Sequence, residues 1–411
     1  MIIKNTAQLY KMKILQLNNR VPFPLNDGGN IGVHYYTKGF LEAGADLSML
    51  AMNTTRHWVE LSQLPDLFQQ LTIFKTVKVD NNVKILNAFL NLFKKSSYNI
   101  DRFISKDYKE ALSSLLKNNS FDIIQLESLF LTPYVSIIRK HSNAKIVIRQ
   151  HNVEFRIWER MAKKEKNFLK KKYFGFLAKR LKSFEIAHLD DYDLILPISK
   201  QDETVLKSLH PQKPMLVHPF GIHLDKIPFT PFSEKPISLY HIGAMDWLPN
   251  QESVAFFLNK VMPLVNVRFP ELKLYLAGRN MPEYYFKHNW KNVIVVGEVP
   301  DAQAFEKDKS ILVVPLQSGG GIRIKILQAM AMGKAIITTS MGVEGIEAKD
   351  NIEIMIADTP EAFAQKIAEL TNNPHKIIEM GIAARKLIEE KYNRKKTIAD
   401  LLFRYEQLLK Q

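Results

Sequence analysis

Short apolar runs alternate with amphipathic helical stretches along nearly the whole chain, and this alternation limits the fold more than any other feature. The runs lie at 13–17, 47–52, 72–78, 122–127, 145–149 and 193–198, then at 237–242, 272–277, 292–297, 311–316 and 334–339. Strands separated by helix-length segments predict parallel α/β sheets. A length of 411 residues suits two or three domains at about 150 residues each. His218 to His223, followed by Pro228, Pro231 and Pro236, reads as a linker over 219–236. It separates a first doubly wound domain, 12–218, from a second, 237–392, with terminal helices near 375–391 and 395–410. Met12 opens the first strand, so residues 1–11 read as an extension without structure.

Composition narrows the classes. With 46% apolar and 24% charged residues the chain is globular. No run approaches the roughly 18 apolar residues of a membrane-spanning helix. Met1 to Tyr10 lacks the apolar core of a secretory signal, so the cytoplasm is the expected compartment. The absence of cysteine excludes disulfides, thiol nucleophiles and thiolate metal sites.

The net charge of +15 is concentrated. Between Arg156 and Lys182 eleven Lys or Arg residues face only Glu159 and Glu165, interleaved with Met161, Phe168, Leu169, Tyr173, Phe176 and Leu177. Such a basic amphipathic stretch suits either an anionic membrane surface, at the inner face of the membrane, or a solvated helix with one face on the core. No nucleic-acid recognition motif accompanies the charge, and nucleic acid is not an expected partner.

Three segments carry candidate chemistry. After the run Ile311–Leu316 comes Gln317-Ser318-Gly319-Gly320-Gly321-Ile322-Arg323, opening a helix read from Ile322 to Met332. Glycines let the backbone approach an anion, and a helix start turns free amides and a positive dipole end toward it. Arg323 and Lys325 sit at that same end, against the dipole, as they would to meet a bound anion. In the first half, Gly28-Gly29 follow the first strand, and Arg149-Gln150-His151-Asn152-Val153-Glu154 crowd polar groups at another strand end. Glu127 occupies a comparable end and is a candidate to bind an acceptor. Asn250, after Pro249, reads as a helix cap or a ligand contact, and Arg279 as a contact to phosphate or base. Asp190-Asp191-Tyr192-Asp193 reads as a helix-ending turn, and no metal is expected.

The segment 319–333, G-G-G-I-R-x-K-I-L-x-A-M-A-M-G, resembles the donor-binding element of family 4 glycosyltransferases, retaining enzymes of the two-domain GT-B fold. His151-Asn152-x-Glu154 and the G-x-M-x-W-x-P-N pattern from Gly243 are similar to the same branch. The resemblance implies two Rossmann-like domains facing across a cleft, the first on the acceptor side and the second binding the nucleotide. It implies that residues 393–411 cross back to the first domain. The donor is then a nucleoside diphosphate sugar, held by Gly28, Gly29, Gly243, Gly319, Gly320, Gly321, Ile322 and Gln328. His151, Arg323 and Lys325 are implied as the catalytic groups, without a cofactor or metal. The acceptor implied is a hydroxyl of a growing, lipid-linked glycan. Many members carry two glutamates where this chain has Gly320 and Gln328; Gln328 retains hydrogen bonding to ribose without charge. A silent nucleotide-sugar-binding or partner protein, and a nucleotide-sugar 2-epimerase, are the alternatives.

Overall fold

A computed structural model of the protein describes residues 11–411 except 26–27, 85, 87–89, 95, 234–235 and 320. The expected extension at 1–11, apart from Lys11, and Gly320 therefore lie outside the described residues. The chain divides into two compact units, one of Met1–Phe220 with Lys395–Gln411, the other of Gly221–Arg394.

In the first unit six strands form one parallel sheet in the order β3-β2-β1-β4-β5-β6. They are β1 (Lys13–Asn18), β2 (Asp46–Thr54), β3 (Ile73–Val79), β4 (Ile123–Leu126), β5 (Lys145–Gln150) and β6 (Leu194–Pro197). The central strands are buried on both faces, which is why their apolar runs are continuous. The edge strand β3 places Lys75 at an exposed position, a charge that discourages further pairing. Alternate residues feed two cores. Leu15, Leu17, Leu50 and Met52 pack with Tyr108, Leu112 and Leu181. Ile14, Leu47 and Met49 pack on the other face with Tyr36 and Phe40 of helix Gly28–Glu42.

That second face is completed by the last helix, Arg394–Leu409, through Ile398, Leu401, Leu402, Tyr405 and Leu408. These positions recur at the spacing of one helical face. Helix Gly28–Glu42 receives Ile398 because Gly39 has no side chain: a methyl there would lie 2.6 Å from Ile398 Cγ1.

In the second unit the order is β12-β11-β10-β7-β8-β9, again six strands and all parallel. The strands are β7 (Ser238–Ile242), β8 (Lys273–Ala277), β9 (Val293–Gly297), β10 (Ile311–Val314), β11 (Ala335–Thr338) and β12 (Met355–Ile356). β12 has two residues, too few to carry a period, and the sequence gives no sign of it. Glycines set the close approaches: a Cβ on Gly278 would fall 1.9 Å from Gly243 O, and one on Gly381 2.1 Å from Gly333 O. The helix after the glycine-rich loop runs Ile324–Ala331, starting two residues later than read from sequence. Gly321 has φ +79° and Arg323 is extended, so Ile322 and Arg323 belong to the loop.

Overpacking the Gly39 site tests the last helix as part of the first unit. Gly39→Val should destabilise the protein by about 1–3 kcal/mol, and adding Ile398→Ala should recover part of that loss. Denaturant unfolding of the single and double variants checks it; additive effects would show that the two sites do not meet.

Candidate functional site

The first unit presents a cavity of about 370 Å³ at the carboxyl ends of the adjacent strands β1, β4 and β5. Asn18, Asn19 and Arg20 reach it from β1, Glu127 and Ser128 from β4, and Gln150, His151 and Asn152 from β5. Gly29 lines it from the first turn of helix Gly28–Glu42, beside Gly28.

Beneath the cavity lies a polar network inside an otherwise apolar sheet. Gln16 and Gln125 are register partners on β1 and β4, and Arg149 lies on β5 at 1% exposure. Arg149 Nη1 donates to Glu127 Oε2 at 2.8 Å, and its guanidinium stacks 3.7 Å from the centre of the Tyr36 ring. Gln16 Nε2 donates to Glu127 Oε1 at 3.1 Å, and Gln125 Nε2 donates to the same oxygen. Burial opposes ionisation of Glu127, but Arg149 and His151 overcome it and hold the carboxyl down at about 2. The carboxylate is thus fully engaged within the protein, which corrects the reading of Glu127 as an acceptor ligand.

His151 depends on that carboxylate. Its Nε2 lies 3.1 Å from Glu127 Oε2, so the Nε2 proton is donated there and Nδ1 keeps a lone pair. Burial, then the charge of Arg149, lower the His151 pKa, so the ring is neutral at pH 7. The network continues through the Tyr36 hydroxyl to His218 Nδ1, while His218 Nε2 donates to Thr397 O at 2.8 Å. Burial depresses the His218 pKa to about 4. His218, placed by sequence beside the linker, is therefore a buried structural partner in this unit.

A second titrating pair sits at the cavity's edge. Glu154 opens helix Glu154–Lys164 and lines the cavity; burial raises its pKa to about 7. Glu185, on helix Phe168–Ala187, is 1% exposed and accepts from Gln150 Nε2 at 3.2 Å. Burial and the neighbouring Glu154 raise Glu185 to about 8, against the backbone amides of Phe155 and Glu154 that favour its charge.

In the second unit Gly243, Asn250 and Arg323 lie around Lys325. Its Nζ donates to Ile242 O at 2.9 Å and to Asn250 Oδ1 at 3.0 Å. Gly243 leaves room for this, since a Cβ there would lie 2.7 Å from Lys325 Nζ. Asn250 therefore holds Lys325 and does not cap its helix, which begins at Leu248 without a side-chain cap. Burial and the adjacent Arg323 charge lower the Lys325 pKa to about 7, partly countered by Glu306. Arg323 occupies the cap position of helix Ile324–Ala331, donates to Gly321 O, and lies 6.0 Å from the Trp247 ring centre. Gly319, at φ +109°, packs on the same ring, where a Cβ would meet Trp247 at 3.0 Å. Ile322 and Gln328 are half-buried, Gln328 on the turn after Lys325. Arg279 is engaged by Asp246 at 3.1 Å, not held toward an anion.

The aspartates at 190–193 have structural work. Asp190 accepts from Gln212 N at 2.8 Å, Asp191 pairs with His188 at 2.5 Å, and Asp193 pairs with Arg139 at 2.8 Å. Among the described residues no group of His, Cys, Asp or Glu has the arrangement of a metal site. No helix among them is long and apolar enough to cross a membrane.

Residues 236–373 match the family model described as glycosyl transferases group 1. Over the whole length, an uncharacterised 44.6 kDa protein in the cps region of Klebsiella pneumoniae is 22% identical across 405 residues, 95% of this chain and 98% of that protein. Among solved structures, sucrose-phosphate synthase from Thermosynechococcus elongatus superposes with a TM-score of 0.69 at 15% identity, covering 97% of this chain and 99% of that one. Anabaena Alr3699/HepE, solved in complex with UDP, gives 0.65 at 12% identity over 96% and 100% of the two chains, and has also been solved with UDP-glucose. The structural likeness establishes a two-domain α/β GT-B fold. The match over residues 236–373 supports a glycosyltransferase.

The Glu154–Glu185 pair makes stability fall as pH rises. Both pKa values are raised above the ordinary carboxylate value of 4.5, so the folded state binds more protons than the unfolded one between that value and about 8. The stabilising, protonated form is complete below 4.5 and is lost as pH passes through 7 to 8. Glu185→Gln should flatten thermal midpoint against pH over this range and stabilise the protein at alkaline pH by on the order of 2 kcal/mol. An unchanged slope would remove Glu185 as its cause.

Proposed function

We propose that this chain is a retaining, metal-independent glycosyltransferase of family 4. It moves a sugar from a nucleoside diphosphate sugar to a hydroxyl of a growing, lipid-linked cell-surface glycan. The observation that carries the reading is Lys325, a half-buried cation whose hydrogen bonds go to neutral oxygens beside a glycine-rich loop and a helix start. A cation in that setting is stabilised when an anion arrives. The leaving diphosphate is that anion, met by the amides of Gly319, Gly321 and Ile322 with Arg323 and Lys325. Gly320 belongs to the same loop in sequence. Gly28 and Gly29 let the first unit's backbone approach the donor. Gln328 holds the ribose, and Gly243 keeps space for Lys325.

His151 contacts the transferred sugar. Its Nδ1 lone pair accepts from a sugar hydroxyl while Glu127 fixes the ring, so it positions the sugar and does not attack it. The donor phosphate then takes the proton of the incoming acceptor hydroxyl on the face from which the leaving group departs. Kinship with a protein of a cps region supports glycan assembly. The UDP and UDP-glucose complexes of HepE make uridine diphosphate sugars the first donors to try.

Lys325 gives this reading a signature besides turnover. At pH 8 it is largely neutral, and a bound diphosphate favours its charged form, so binding should take up close to one proton. Titration calorimetry with UDP in buffers of different ionisation enthalpy reads this directly. Lys325→Met should abolish the uptake and weaken binding about 10- to 100-fold, the scale of one charge-assisted contact. Absence of binding by UDP and the other nucleoside diphosphates would defeat the proposal.

The region 156–182 is proposed to dock on an anionic membrane at its inner face. Phe168 is 66% and Leu169 75% exposed next to Lys170, Lys171 and Lys172. Such a pairing of apolar and basic side chains suits an interface between lipid headgroups and tails. Changing the three lysines to glutamate should abolish sedimentation with phosphatidylglycerol vesicles; equal sedimentation of the variant would sink the idea.

A further inference from the structure

The cavity of the first unit is more cationic than neutral sugar binding requires. Arg20, Arg56 and Arg102 line it, against two carboxyls, Glu127 and Glu154. Glu127 spends its charge on Arg149 and His151, and Glu154 titrates at about 7. Arg56 and Arg102 come from different elements, the turn after β2 and the end of the short helix Tyr98–Asp101. They are drawn together through Asn81, whose side-chain oxygen accepts from Arg56 N and whose carbonyl accepts from Arg102 Nη1, both at 3.3 Å.

The two guanidiniums repel each other, and burial adds to the penalty on Arg102. Nearby acids do not relieve this. Asp80 pairs with Lys84 at 2.9 Å, Asp101 accepts from Ser96 and Asn91, and Glu60 accepts from Trp58. Among the described residues, neither Arg56 nor Arg102 has a carboxylate partner, and Arg102 Nε is buried without a hydrogen bond. Phe103 and Phe130, stacked at 4.6 Å, supply an apolar wall of the same cavity.

We infer that this cavity binds a phosphorylated acceptor, with Arg56 and Arg102 gripping the phosphoryl group; the inference rests on the glycosyltransferase reading and names its acceptor class. Two forks from different directions suit the three oxygens of a tetrahedral phosphoryl group, whereas a planar carboxylate is filled by one fork. The amides of Asn18, Asn19 and Asn152 remain for sugar hydroxyls, and the aromatic wall for a ring face or the first carbons of a lipid. The phosphate belongs either to a soluble sugar phosphate or to a polyprenyl carrier.

Calorimetric titration of the full-length protein tests this with glucose, glucuronate, glucose 1-phosphate and farnesyl phosphate. A phosphorylated ligand should bind at least tenfold more tightly than glucose, and whichever of the two is tighter identifies the source of the phosphate. Arg56→Ala, on an exposed side chain, and Arg102→Gln should each weaken that binding about tenfold while leaving UDP affinity unchanged. The inference falls if no phosphorylated ligand is preferred, if glucuronate binds as well, or if neither variant loses affinity. It falls too if UDP affinity drops by the same factor, because the arginines would then serve the donor. Failure of the wild-type protein to bind UDP defeats the glycosyltransferase reading alone, since the phosphate titrations are read without donor.

Discussion

A carboxylate and a guanidinium buried in the middle of a parallel sheet govern the first unit. Glu127 and Arg149 meet at 2.8 Å with side-chain exposures of 1% and 2%. Removing either partner from such a pair leaves a charge in a medium that cannot solvate it, at a cost of about 3–5 kcal/mol. Everything around the pair works to avoid that outcome. Gln16 and Gln125 complete the carboxylate, Tyr36 covers the guanidinium, and Tyr405 of the last helix donates to Gln125 Oε1. The residue exposed to the cavity, His151, is the end of this buried assembly. Its tautomer follows from a carboxylate that cannot move.

The second unit solves the opposite problem. Lys325 is only half-buried, and its partners are a backbone carbonyl and an amide oxygen, which satisfy hydrogen bonds without neutralising charge. The first unit therefore holds a finished ion pair, and the second a cation near its own titration point. Both depend on close backbone approach, through Gly32 against Arg149 and Gly243 against Lys325.

The strands and their order in sequence were legible because continuous apolar runs survive burial on both faces. The glycine-rich loop and the polar strand ends at Gly28-Gly29 and His151 were legible for the converse reason, since packing does not call for them. The helix start at Ile324 was not, because two residues after Gly321 follow a turn set by its positive φ. Glu127 and Asn250 were misread for a shared cause: each has a partner far away in sequence. Gln16 is 111 residues from Glu127, and Lys325 is 75 from Asn250. Polar residues at Gln16, Gln125 and Arg149 stood out within apolar strands, but only the order β1-β4-β5 puts them together. Arg56 and Arg102 carried no signal at all, being ordinary surface residues until the fold joins them.

The split composition of the first unit also bears on how the protein is made. Its core takes Leu401, Leu402 and Tyr405 from the far end of the chain, whereas residues 221–394 form the second unit without interruption. A chain made from its N-terminus delivers the six strands of the first unit, then the second unit, and only afterwards the helix that completes the first unit's core. Until then Tyr36 and Phe40 pack on Ile14, Leu47 and Met49 without Leu401, Leu402 and Tyr405 over them. The domain begun first is the last to close.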